Sequence, residues 1–327
     1  MFYRNAILLS ILLVSTLTQT RGQEVVTGLS SNILLKNNSL LLLKSKSTPD
    51  TLTLPFFDDF SRGGPNPDPG RWTDNFVFIN NTYPLNQVTL GVATFDALDE
   101  QGLLYENASS ARFTADTLTS YPLDLSGIPS ENFYLSFMYQ PQGIADPPEL
   151  QDSLTLHFYS PVTGEWSSVW RAEGEAVKPF KPVIIRIDDP GYLAKGFRFR
   201  FVNYASLSST VSDPAMAGNA DHWNLDYVFL DRGRSSDDTL VADVAFTYPV
   251  RAPLNNYESM PWDQFREWYV SEQASSVTLH YRNNDNITRN VTRSFIIRDL
   301  LDDLQVYASV QGATNVLRCR RLPITVR

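Results

Sequence analysis

The stretch Gly196-Phe-Arg-Phe-Arg-Phe-Val-Asn-Tyr204 decides the fold. Phe197, Phe199 and Phe201 fall on one side of an extended chain, and Arg198 and Arg200 on the other. Alternation with a period of two is the mark of a half-buried strand. The same pattern runs through residues 132–140 (NFYLSFMYQ), with Phe133, Leu135, Phe137 and Tyr139 on one face. It returns in 152–160 (DSLTLHFYS), with Leu154, Leu156 and Phe158. Further strands are expected at 165–171, 182–187 and 223–231. Between them lie PQGIADPPE, SPVTGEW and DDPGY, rich in residues that favour turns. No helical periodicity exceeds about three turns. The expectation is an all-β chain built as a sandwich or jelly roll.

Working outward, the ordered region begins near LPFFDDFS and closes near residue 232, giving a main domain over 54–232. RGRSSDD (232–238) is polar and linker-like. A second unit over 236–327 then holds DTLVADVAFTYPV, SSVTLHYRN and NVTRSFIIRD as strands and MPWDQFREWYV as one short helix. Its size fits an immunoglobulin-like sandwich. The end, LRCRRLPITVR, carries four arginines and the lone Cys319, and reads as a truncated or altered terminus, with a natural basic tail as the alternative.

Residues 1–22 read as a signal peptide: Arg4, an apolar run from Ala6 to Leu17, and small residues Thr20 and Gly22 before a cleavage at Gln23. The run is shorter than the ~20 residues a membrane helix needs, so no transmembrane span is expected in the mature chain. Residues 23–53 form an N-terminal segment and linker. Within it, ILLKNNSLLLLKSK is expected as a strand pair or a short helix packed on the sandwich. A secreted or outer-surface location follows.

The net charge is −9, spread along the chain. Nucleic acid needs a basic face to meet phosphates, so it is excluded as a partner. A single cysteine rules out an internal disulfide and a Cys-based zinc site.

The pieces FFDDFS, RWTDNFVFINNTY, GVATFDALDEQGLLY, LSFMYQ, GEWSSVW and DHWNLDYVFLD together resemble the MAM/concanavalin-like jelly rolls of secreted Bacteroidetes surface proteins, many exported by type IX secretion. The resemblance covers about half the chain. It implies a jelly roll whose first and last strands lie side by side, and a bacterial cell surface. Exported Bacteroidetes proteins are O-glycosylated at Asp-Ser/Thr-apolar sites, which Thr51, Thr117, Ser153 and Thr239 fit.

Catalytic chemistry finds little support. There is no GxSxG elbow and no HExxH motif. Of three histidines, His157 continues a strand, His222 neighbours Asp221, and His280 lies in a later strand. Asp96, Asp99 and Glu100 of FDALDE are the nearest approach to a hydrolase carboxylate pair, and their composition beside Gly102 reads as a turn.

Binding chemistry is better represented. If the first and last strands pair, Asp58, Asp59, Asp221 and Asp226 converge, which would suit a structural Ca²⁺. Sugars present apolar C–H faces to aromatics and hydroxyls to planar polar groups. Trp72, Asn75, Trp166, Trp170 and Arg171 are the candidate ligand-binding residues. Trp166 and Trp170, four apart, are expected on one face, as either the edge of the core or a platform. The leading expectation is a non-catalytic recognition or adhesion protein with an extracellular glycan or surface protein as partner. The alternatives are a glycoside hydrolase or other enzyme of concanavalin-like fold, and a structural stalk of a larger surface protein.

Overall fold

The computed structural model describes residues 31–42, 50–127, 132–207, 220–238, 241–299, 301–317 and 321–326. The signal-peptide segment, Thr239 and Cys319 lie outside the described residues. The chain is nearly all β, with antiparallel sheets in a sandwich-like arrangement.

The larger sheet joins β1 (Phe56–Asp58), β2 (Phe78–Asn80), β3 (Val92–Phe95), β6 (Phe133–Pro141), β9 (Lys181–Ile187) and β11 (Trp223–Arg232). Its order is β2-β3-β11-β6-β9, and β1 lies beside β11 next to β3. Phe56 pairs with Leu230 and Asp58 with Val228, so the first and last strands of this sheet are neighbours. The smaller sheet joins β4 (Phe113–Thr119), β5 (Leu123–Asp124), β7 (Ser153–Ser160), β8 (Glu165–Glu173) and β10 (Lys195–Ala205), in the order β4-β10-β7-β8 with β5 beside β10. From β6 onward the chain passes to β7 and β8, back to β9, across to β10 and back to β11.

The two sheets bury their apolar faces against each other. Phe197, Phe199 and Phe201 of β10 are fully buried, as the alternation requires. Phe201 meets Phe95 and Phe137 of the opposite sheet edge-on, with centroids 6.5 and 4.9 Å apart. Edge-to-face contact places the positive ring edge on the negative face. Trp72 and Trp223 also lie in this core.

Two β-bulges reset the alternation. On β8, Trp170 faces Leu156 but Ser168 faces His157, so one residue is inserted at Val169. On β11, Asp226 faces Met138 and Phe229 faces Ser136, with Tyr227 at φ 54°. Trp223 and Leu225 enter the core before this bulge, Val228 and Leu230 after it. An inserted residue turns every later side chain to the other face.

ILLKNNSLLL forms a helix, α1 (Ile33–Leu42). Asn32 caps it by accepting hydrogen bonds from the amides of Leu34 and Leu35, and Leu35 is buried. The following linker reading ends early: Leu52 already exchanges backbone hydrogen bonds with Pro122 and Asp124.

The C-terminal unit has two small sheets. One is β12 (Val244–Phe246), β13 (Val277–Asn283) and β16 (Arg321–Val326); the other is β14 (Arg289–Asp299) paired with β15 (Leu304–Val316). MPWDQFREWYV lies mostly in α2 (Trp262–Glu272). A small core gathers Tyr281 and Val316 with Val244, Leu279 and Val291. Asn284 ties this unit to the sandwich by donating from Nδ2 to the Val88 carbonyl at 2.9 Å.

Candidate functional sites: an arginine-aromatic face and an acidic cluster

The arginines of GFRFRFVNY emerge on the outer face of the smaller sheet. Arg200 lies over the Trp166 ring, 4.3 Å from its centroid, and Arg198 lies 5.7 Å from that of Tyr159. The Tyr159 and Trp166 rings are 5.3 Å apart. Along the same face, Arg112 lies 4.3 Å from the Tyr204 centroid and donates to the Ser153 hydroxyl. Arg171 is exposed and opposite Thr155. Among the described residues, no carboxylate forms an ion pair with Arg112, Arg171, Arg198 or Arg200. The Nε of both Arg198 and Arg200 is buried without an acceptor among the described residues. His157 of β7 lies opposite Arg200 and meets the Thr155 hydroxyl through Nε2 at 3.0 Å. Burial and the Arg200 charge lower its pKa, which favours the neutral ring. The positive charge of this face therefore rests on its arginines.

The structure separates the tryptophans that the sequence placed together. Because of the Val169 bulge, Trp166 lies on the outer face, while Trp170 packs inward against Phe137 and Tyr139, each at 5.0 Å. Trp72 is fully buried and donates from Nε1 to Asp58 at 2.6 Å. Asn75 is half-buried beside Asp74, away from β8 in the chain. Trp166 and Arg171 remain on the open face. Sequence reasoning missed Arg198, Arg200 and Tyr159 as site residues, although the period-two pattern already put the two arginines opposite the core.

The four aspartates considered for Ca²⁺ occupy four separate places. Asp58 faces inward, with Oδ1 accepting from the Phe60 amide and Oδ2 from Trp72. Asp59 accepts from Ser61 in a local turn. Asp226 is fully buried and takes both the amide and the hydroxyl of Thr89. Asp221 lies elsewhere, with Glu149 and Asp152. Among the described residues, these three form the only group of three or more His, Cys, Asp or Glu whose donor atoms all lie within 4.8 Å of one another.

Three chain segments build this cluster. Glu149 and Asp152 come from the turn between β6 and β7, where the Glu149 amide donates to Asp152 Oδ2. Asp221 precedes β11 with φ 56°. Ser206, just after β10, joins them: its amide donates to Asp221 Oδ2 at 2.6 Å, and its hydroxyl to Asp152 Oδ2 at 3.0 Å. Both aspartates are fully buried, and the Oδ1 of each has no donor among the described residues. Burial, then the contact with Glu149, pushes the pKa of both well above the usual carboxylate range. Asp146 is also raised, by burial and by Glu149, while accepting from the Asp221 amide.

The other candidates have local roles. Asp96 accepts from the Leu98 amide, and Asp99 accepts from the amides of Gln101 and Leu103, as a turn requires. Thr51 is half-buried. Thr117 is half-buried on β4 and donates to Asp74. Ser153 is fully buried. A cavity of about 710 Å³ between α1 and the loop at Phe60–Pro65 is lined by no titratable side chain among the described residues. No protein-family model and no curated protein matches this chain.

Proposed function

We propose that the chain is a non-catalytic recognition module of the cell exterior, a jelly roll followed by an immunoglobulin-like unit. Its ligand is an acidic glycan held on the outer face of the smaller sheet. The observation that carries this reading is the Arg200–Trp166 and Arg198–Tyr159 pairing, without carboxylate partners, in a chain of net charge −9. A guanidinium stacked on a ring keeps its planar fork free for carboxylate or sulfate. Neighbouring Thr119, opposite Arg200, and Ser168, opposite His157, supply hydroxyls for the sugar.

The non-catalytic part is supported by where the acids lie. Hydrolase carboxyls face each other across a cleft at about 5–10 Å, whereas Asp152 and Asp221 are closed off from solvent. An exterior location is favoured by the signal-like N-terminus and the resemblance of the opening and closing strands to Bacteroidetes surface jelly rolls.

Affinity electrophoresis through gels holding a polyuronate, a sulfated polysaccharide or a neutral polysaccharide tests the reading. Retardation is expected in the acidic gels and weakens with salt. Arg200→Ala and Arg198→Ala each reduce it about ten-fold or more, the worth of a charge-assisted hydrogen bond. Equal retardation by neutral polymer, or acidic binding indifferent to both substitutions, sinks it.

A further inference from the structure

We infer that Glu149, Asp152 and Asp221 bind a divalent, oxygen-preferring cation of calcium size, which clamps the β6–β7 turn to the end of β10 and the start of β11. Three carboxylates touch here. Among the described residues, no lysine or arginine forms an ion pair with Glu149, Asp152 or Asp221. Two of the three are fully buried, where an unpaired charge is costly. Protons or a bound cation must therefore neutralise them.

The orphaned oxygens point to what that is. Ser206 satisfies Oδ2 of both aspartates, and the Oδ1 atoms are left buried with no donor among the described residues. A buried polar atom without a partner is the exception in folded proteins. Two such acceptors in one three-carboxylate cluster are acceptors a metal ion can use. Donor atoms within 4.8 Å of one another suit a central ion, since Ca²⁺–O distances of about 2.3–2.6 Å place opposed ligands about 5 Å apart. All donors are oxygens, which disfavours zinc and copper. Glu149 is solvent-exposed and gives the ion an entry path.

The site is distinct from the three places taken by Asp58, Asp59 and Asp226, and it is independent of glycan binding on the sheet face. Its consequence is mechanical. The clamped segments belong to both sheets, so an ion here ties the ends of the sandwich together.

Thermal melts of the full chain in EDTA, in CaCl₂, and in NaCl of matched ionic strength provide the test. Millimolar CaCl₂ is expected to raise the midpoint by about 5 °C in a saturable manner, and matched NaCl is not. Glu149→Gln, an exposed change that leaves folding intact, raises the Ca²⁺ needed for half the shift about ten-fold. Asp152→Asn removes the shift while its melting in EDTA stays at or above that of the parent, because a buried charge is lost. Glu267→Gln, an exposed acid on α2, leaves the titration unchanged. No shift with CaCl₂, or a shift that survives both Glu149→Gln and Asp152→Asn, overturns the inference.

Discussion

The guanidinium of Arg200 lies 4.3 Å from the centre of the Trp166 ring, while Trp170, only four residues on, turns its ring into the core against Phe137. The Val169 bulge separates their fates. Trp166→Ala should therefore weaken acidic-glycan binding and cost little stability, on the order of 1 kcal/mol or less for a half-exposed cation-π pair. Trp170→Ala should do the reverse, costing about 3–5 kcal/mol as a core aromatic truncation. Urea unfolding of both variants, alongside their gel retardation, measures the two effects separately. Similar stability losses in the two would mean that the bulge does not divide the faces.

Trp72 and Asp58 form a polar contact inside the core. The indole donates to Asp58 Oδ2 while its ring meets Phe56 and Phe199 edge-on. Burial already raises the Asp58 pKa, and the Trp72 hydrogen bond is the largest influence opposing it. Trp72→Phe keeps the ring contacts and removes the donor, leaving a buried carboxyl short of one partner. The expected loss is about 1–3 kcal/mol. Asp58→Asn should cost less in the Trp72→Phe background than alone, because the shared bond is already gone. Additive losses in a double-mutant cycle would show that the bond contributes nothing.

Much of this architecture is legible in the sequence, and the limits have a common cause. Phe197, Phe199 and Phe201 announce a core face because alternation is a local property of one strand. The bulges at Val169 and Tyr227 are not legible, since an extra residue is defined only against the partner strand. Strict alternation from Trp223 would put Tyr227 and Phe229 inside; Val228 and Leu230 are there instead. The acidic cluster was half visible. Asp146, Glu149 and Asp152 recur every third residue before a strand, a signal that turn chemistry masked. Their meeting with Asp221 depends on which strand ends adjoin, and no local pattern carries that.

Stability should respond to pH through Asp226. Burial lifts its pKa from 3.8 to about 7 against the opposing Thr89 hydrogen bonds. The folded chain therefore holds this proton more tightly than the unfolded chain. The associated stability is fully present below the unfolded value of 3.8 and is lost as pH rises through about 7. His222 works oppositely: buried, with its pKa lowered from 6.5 to about 4, it contributes stability above 6.5 that is lost as pH falls towards 4. Asp226→Asn removes only the first effect. Relative to the parent it should gain on the order of a few kcal/mol between about pH 4 and pH 8. A constant difference in urea-derived stability across that range would mean that Asp226 is ionised throughout.

Gly174 packs against the turn that carries the acidic cluster. A Cβ built there would sit 1.8 Å from the Glu149 carbonyl oxygen, far inside contact distance, and neither a Cβ nor a backbone oxygen can rotate aside. Its amide also donates to the Asp152 carbonyl at 3.0 Å. The end of β8 thus presses directly on the turn that carries Glu149 and Asp152. Gly174→Ala must push that turn outward, at a cost of about 1–3 kcal/mol as for other overpacked sites. The displacement also carries the carboxyls away from Asp221. A calcium-induced rise in melting temperature should accordingly shrink in Gly174→Ala although every carboxylate is retained. If the rise is undiminished, the ligand geometry does not depend on the close approach of β8.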